Sequence, residues 1–195
     1  IVGQENVGKT TILRWLRREH DSLVSMNTIT TDGIDISSIA LGGGKGSGGV
    51  TFRAWDFAGQ EVYYLTHQFF LSENGIYLLL WDMRYSPGRS RMEWWLQSIA
   101  SRAHSAPVIL VGTHLDDAMS DKCVMGWNAA NPDQTGGSYK GGEQWVREVY
   151  EYMRERYVSR YQNVEYVTFM DGQDGRGLTL IKEKLLEIAL RRVQS

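Results

Sequence analysis

The stretch IVGQENVGKTT (residues 1–11) decides the fold, and the rest of the chain is read outward from it. An apolar lead-in runs into Gly3-x-x-x-x-Gly8-Lys9-Thr10, and an amphipathic run starts at Lys9. That is the order strand, tight turn, helix. Gly8 lets the backbone turn so that the N–H groups along Asn6, Val7, Gly8 and Lys9 converge on a phosphate. The start of the following helix adds its positive dipole end. In this pattern the Lys9 ammonium meets the β- and γ-phosphates, and the Thr10 hydroxyl ligates Mg²⁺. Thr11 is in reach of the α-phosphate.

Strand and helix patterns alternate along the remainder. Val50–Phe57, Ile76–Asp82, Pro107–Gly112 and Val164–Phe169 read as strands. Lys9–Glu19, Val62–Leu71, Ser90–His104, Glu143–Tyr157 and Leu178–Arg192 read as helices. The last carries apolar residues at 178, 181, 185, 188 and 189, a helical period. Ser90-Arg91-Met92-Glu93 has the capping-box spacing. Strands that are apolar throughout and alternate with helices predict an α/β fold with a mostly parallel sheet covered on both faces. The stretch 42–49 reads as a flexible connection, and 119–142 as a long loop or insertion carrying a short helix of its own.

Ligands of such folds bind where strands end, so each further motif must follow a strand. WDFAGQE (55–61) does. Asp56 can hold a water bound to Mg²⁺, Gly59 can offer its N–H to a γ-phosphate, and Gln60 can orient an attacking water. Between the two motifs, NTITTDGIDI (27–36) is polar and rich in threonine. Thr31 is the candidate to complete the Mg²⁺ shell, with Thr28 and Thr30 as alternatives.

VILVGTHLDD (108–117) passes the same test. Guanine offers two adjacent donors, N1–H and the exocyclic amine, and one carboxylate accepts from both. Adenine has no such pair on that edge. Asp116 is better placed than Asp117, one residue later, to make this choice.

These residues together resemble a Ras-like GTPase, a P-loop NTPase with a three-layer fold. In detail they resemble the Roc domain of Roco proteins, the group that includes the leucine-rich-repeat kinases. WDFAGQE (55–61), THQFF (66–70), PVILVGTHLD (107–116) and TTDGIDI (30–36) carry the resemblance, over most of residues 1 to 116. It implies binding of GTP and GDP with Mg²⁺, slow hydrolysis and a switch role in a larger signalling protein. It also implies a COR region after the domain, and a homodimer there. By position, Lys9 and Thr10 serve phosphate and magnesium, Thr31 lies in the first switch, Gln60 in the second, and Asp116 reads the base. Thr113 and His114 stand where most Ras-like proteins have Asn and Lys, a change typical of Roc domains. Glu5 and Asn6 stand where many small GTPases have glycines. Met170-Asp171-Gly172 is the nearest candidate for the loop that backs the base.

Composition bounds the alternatives. The chain has 195 residues, 42% of them hydrophobic, enough for one domain with a real core. A net charge of −2 argues against a nucleic-acid surface built on bulk charge. The single cysteine, Cys123, allows no internal disulfide and suits a cytoplasmic setting. The longest apolar run, Ile76–Trp81, is far too short to span a bilayer. The histidines show no metal-ligand spacing with Cys123, so no zinc site is expected. His67 follows the second switch and reads as a partly buried histidine or a partner contact. Met92, Trp95, Leu96, Ile99, Ala100 and Ala103 form one helical stripe and predict core. Trp94 falls opposite, as an interface anchor or under another loop of the same domain. Because the chain opens at Ile1 inside an apolar motif, it is expected to be a single domain cut from a longer protein, its first strand truncated. Two other readings stay open: a nucleotide-binding dimerisation module with negligible hydrolysis, and a P-loop ATPase or kinase.

Overall fold

A computed structural model describes residues 1–17, 33–42, 49–58, 68–120, 123–125 and 138–194. Its elements are β1 (Val2–Gly3), α1 (Lys9–Arg17), β2 (Ile34–Leu41), β3 (Val50–Phe57), β4 (Tyr77–Asp82) and α2 (Met92–Arg102). Then come β5 (Val108–Thr113), α3 (Leu115–Met119), β6 (Cys123–Met125), β7 (Ser138–Lys140), α4 (Glu143–Met153), β8 (Val164–Phe169) and α5 (Leu178–Gln194).

The centre is a parallel sheet in the order β1-β4-β5-β8. Every residue of β4 and β5 is buried. Alternate residues of these strands serve opposite faces. Leu79, Trp81 and Leu110 join a core with Met92, Trp95 and Ile99 of α2 and Trp145, Val149 and Met153 of α4. Leu78, Leu80, Ile109 and Val111 join a second core with Ile12, Leu13 and Leu16 of α1 and Ile181, Leu185 and Ile188 of α5. Helices on both faces explain why these strands read as unbroken apolar runs. The result is the three-layer α/β architecture of a Ras-like P-loop fold.

β2 and β3 form an antiparallel hairpin, paired from Ile34↔Phe57 to Leu41↔Val50. The hairpin lies against the β1 edge. Ile1 N donates to Trp55 O at 2.6 Å, and Phe57 N donates to Ile1 O at 3.3 Å, the bonding pattern of a parallel pair. Counted through those bonds, the strands run β2-β3-β1-β4-β5-β8.

Several expectations shift. Ile34–Leu41 is a strand that the sequence pattern did not mark; Ile36, Ser38 and Ala40 are exposed on one face and Asp35 on the other, so it lacks the continuous apolar signal of an inner strand. The capping box at Ser90 is not formed. Arg91 takes the N-cap position at φ 53°, with no side-chain cap bond, and Glu93 instead meets Arg160 and Tyr161. Strand β5 ends at Thr113, one residue later than read, because Thr113 pairs with Asp82. Helix α4 stops at Met153 and passes into one wider turn, Arg154–Val158. The insertion carries the antiparallel pair β6–β7 rather than only a helix. Of the helix read at Val62–Leu71, the described part is a single tight turn, Gln68–Phe70. Residues 18–20 and 43–48, and His67, lie outside the described residues. Trp94 is partly buried, edge-on to Trp95 with centroids 4.8 Å apart, so it packs within its own domain.

Candidate functional site: the C-terminal edge of the sheet

The loop after β1 is shaped by three unusual backbone positions. Gly3 has φ 142°, and a Cβ there would stand 2.6 Å from Leu80 O. Asn6 and Gly8 both have positive φ, 62° and 90°. Asparagine is one of the few side chains that tolerates this region, which is how the loop does without a glycine at position 6. Helix α1 then opens with Ile12 N donating to Gly8 O at 3.0 Å.

Lys9 is buried, and its Nζ donates to Gly3 O at 3.1 Å and Gln4 O at 2.6 Å. The ammonium thus bridges the loop it belongs to. Burial pushes its pKa down to about 8, against the opposing pull of Asp56 and then Glu5. Such a group gains from an anionic ligand that restores the charge interactions lost with water. Thr10 Oγ1 donates to Asp56 Oδ2 at 2.6 Å, joining the start of α1 to the end of β3. Two hard oxygen ligands in contact are the donor set Mg²⁺ prefers, so the residues present fit that ion. Thr31, Gly59 and Gln60, with the alternatives Thr28 and Thr30, lie outside the described residues.

At the end of β5, Thr113 is buried and its hydroxyl donates to Trp81 O at 3.1 Å. Its methyl stands 3.7 Å from where a Gly8 Cβ would be. A shorter side chain than Asn therefore lies close to the phosphate loop with its methyl toward Gly8. His114 follows at φ 61° and leads into α3. Asp116 Oδ2 accepts from Gln173 Nε2 at 2.6 Å, whereas Asp117 Oδ2 accepts from Arg84 Nη1 at 3.1 Å. The two adjacent carboxylates have different partners.

The loop after β8 closes the row. Met170 N donates to Gly112 O at 2.7 Å, and Leu115 N to Met170 O at 3.4 Å. Asp171 is buried, and its Oδ1 accepts from Gln173 N at 2.7 Å. Trp15 Nε1 of α1 donates to Gly172 O at 3.0 Å. Met170-Asp171-Gly172 therefore does lie beside the Asp116 loop, and Thr11 Cγ2 stands 3.5 Å from a Cβ placed on Gly172. Sequence reasoning missed Gln173, Trp15 and Arg84. Nothing local marks them, since their partners lie 57, 157 and 33 residues away.

Among the described residues, the only group of three or more His, Cys, Asp or Glu close enough to share an ion is His114, Asp116 and Asp117. The Arg84 guanidinium, on Asp117 and within 3.2 Å of His114 Nε2, already faces two of the three. No described helix is long and apolar enough to cross a membrane.

Comparison with known proteins places the chain in a family. The family model "Ras of Complex, Roc, domain of DAPkinase" matches residues 1–116. The probable serine/threonine-protein kinase pats1 of Dictyostelium discoideum is 38% identical over 200 residues, covering 95% of this chain and 6% of its own length. Probable serine/threonine-protein kinase roco5 of the same organism is 39% identical over 157 residues, covering 60% of this chain and 6% of its own. Leucine-rich repeat serine/threonine-protein kinase 1 of Caenorhabditis elegans is 40% identical over 85 residues, or 43% of this chain and 4% of its own. The chain thus spans a small part of each of these relatives. The solved structure of Methanosarcina barkeri Roco2 RocCORdC bound to GDP superposes with a TM-score of 0.65 at 25% identity, over 97% of this chain and 47% of that one. The family match runs from the phosphate loop to Asp116, over more than half of the chain, and on that match the chain belongs to the Roc family of Ras-like GTPase domains.

Proposed function

We infer that this domain binds GTP and GDP with Mg²⁺, hydrolyses GTP slowly and serves as a conformational switch within a larger signalling protein. One observation carries the reading. The phosphate loop and the Asp116 loop adjoin at Gly8 and Thr113, so a ligand with a phosphate tail and a guanine head can span both. The GDP-bound Roco2 relative supports it.

In this reading Lys9 gives its ammonium to the β- and γ-phosphate oxygens in place of the Gly3 and Gln4 carbonyls. Loop N–H groups of Asn6, Val7 and Gly8 hold the β-phosphate, and Thr11 the α-phosphate. Thr10, Asp56 and Thr31 would hold Mg²⁺, which neutralises charge developing on the transferred phosphoryl group. Gly59 donates to the γ-phosphate, and Gln60 orients the attacking water. Asp116 exchanges the Gln173 amide for the two guanine donors, and Thr113 and His114 shape the base loop. A following COR region, and dimerisation through it, are proposed on the same family grounds, as is a cytoplasmic setting.

Calorimetric titration with GTP, GDP and ATP tests the ligand. GDP and GTP are expected to bind and ATP not; equal ATP affinity would move the chain to the ATPase reading. Asp116→Asn should weaken GTP and favour xanthosine triphosphate, because an amide can donate to the C2 carbonyl of xanthine. Single-turnover decay of GTP tests catalysis. If wild type and Gln60→Leu decay equally slowly, the domain is a nucleotide-binding module rather than a GTPase.

A further inference from the structure

We propose that Arg84 is a specificity-determining positioning residue of the base site: it takes Asp117 and His114 out of play so that the loop presents one carboxylate, Asp116, to guanine. The proposal rests on the reading of Asp116 as the base reader.

Arg84 sits just past β4, whose last residue, Asp82, pairs with Thr113. Its guanidinium commits four of its five N–H donors. Nε donates to Asp82 Oδ1 at 2.9 Å and Nη2 to Asp82 Oδ2 at 2.7 Å, a two-pronged grip on a nearly buried carboxylate. That grip fixes the fork. Nη1 then reaches Asp117 Oδ2 at 3.1 Å, and Nη2 reaches His114 Nε2 at 3.2 Å. Arginine has no acceptor, so His114 Nε2 must offer its lone pair, which puts the ring proton on Nδ1. The His114 side chain also lies 3.6 Å from Asp82 Oδ2.

The consequence concerns charge. Asp116 and Asp117 are adjacent, and carboxylate oxygens of both lie within 4.8 Å of each other and of His114. A second free carboxylate there would repel the Asp116 charge and compete with it for the two guanine donors. Arg84 supplies the neutralising cation and draws Asp117 toward β4. It also holds His114 in the positive-φ conformation that turns the chain from β5 into α3. A side chain 33 residues before Asp117 in the sequence thus sets which of two neighbouring aspartates reads the base.

The test is a double-mutant cycle read by GDP calorimetry on the 195-residue chain, with thermal midpoints checking that each variant folds. Arg84→Met should weaken GDP about tenfold, since Asp117 is then unpaired beside Asp116. Adding Asp117→Asn removes the one of Arg84's two carboxylate partners that lies beside Asp116 and should return affinity to within about threefold of wild type. A merely structural Arg84 would not be rescued, because the two losses would add. The proposal is overturned if Arg84→Met binds GDP like wild type, or if the double variant binds no better than the single one. Failure of wild type to bind GDP, or undiminished binding by Asp116→Asn, would instead overturn the reading of the base site itself. Should Arg84→Met not fold, Arg84→Gln carries the same comparison.

Discussion

At the residue scale, the clearest consequence is the buried Lys9. Its proton is held less tightly in the folded chain, at about 8, than in an unfolded chain, near 10.5. Between those values the unfolded state binds more protons, so the stability of the nucleotide-free chain rises with pH through that window. The rise attributable to Lys9 is up to about 3 kcal/mol, the free energy of a shift of that size. Urea unfolding at pH 7.5 and 9.5 samples about 2 kcal/mol of it, with Lys9→Met as the reference in which the contribution is absent. Equal pH dependence in wild type and variant would remove the burial cost assigned to this ammonium. The same cost explains why the loop suits an anionic ligand: a phosphate compensates the desolvated charge far better than the Gly3 and Gln4 carbonyls do.

At the element scale, a tight constraint near the site is in β5. A Cβ on Gly112 would stand 2.7 Å from Met83 Cγ and 2.7 Å from Phe169 Cδ1. The strand is central and buried, and so is Met83, which has no solvent to move into, whereas Phe169 is partly exposed. Gly112→Ala should lower stability by about 1–3 kcal/mol, the usual cost of overpacking. A urea midpoint equal to wild type would show that Met83 and Phe169 repack freely. The same strands show what the sequence could disclose. β4 and β5 were legible because inner strands covered on both faces are apolar at nearly every position. β2 was not, because an edge strand with Asp35, Ser37 and Ser38 looks like a loop when its partner strand is not in view. The glycine–lysine motif was legible because its geometry is local. Arg84 and Gln173 were not, because each acquires its role only when loops far apart in sequence meet at one edge of the sheet.

At the scale of the whole molecule, both cores are built on the same strands. Leu79 and Trp81 face one core while Leu78 and Leu80 face the other, so neither face can lose its packing without unfolding β4 for both. The site crosses the same boundary. Thr113, next to Gly8, bonds Trp81 O, and Trp15 of α1 bonds the loop that carries Gln173 to Asp116. One cooperative transition is therefore expected. Tryptophan fluorescence, which includes Trp81 and Trp95 in one core, should coincide in urea with far-UV circular dichroism, which averages helices on both faces. On the proposed reading a bound nucleotide would bridge the phosphate and base loops and should move both curves together. At about a hundredfold excess over its Kd, GDP adds about 2.7 kcal/mol to the unfolding free energy. Two separated transitions, or a GDP shift seen by one probe alone, would mean that the two faces fold as independent units, and the shared strands would then not couple the nucleotide site to the whole domain.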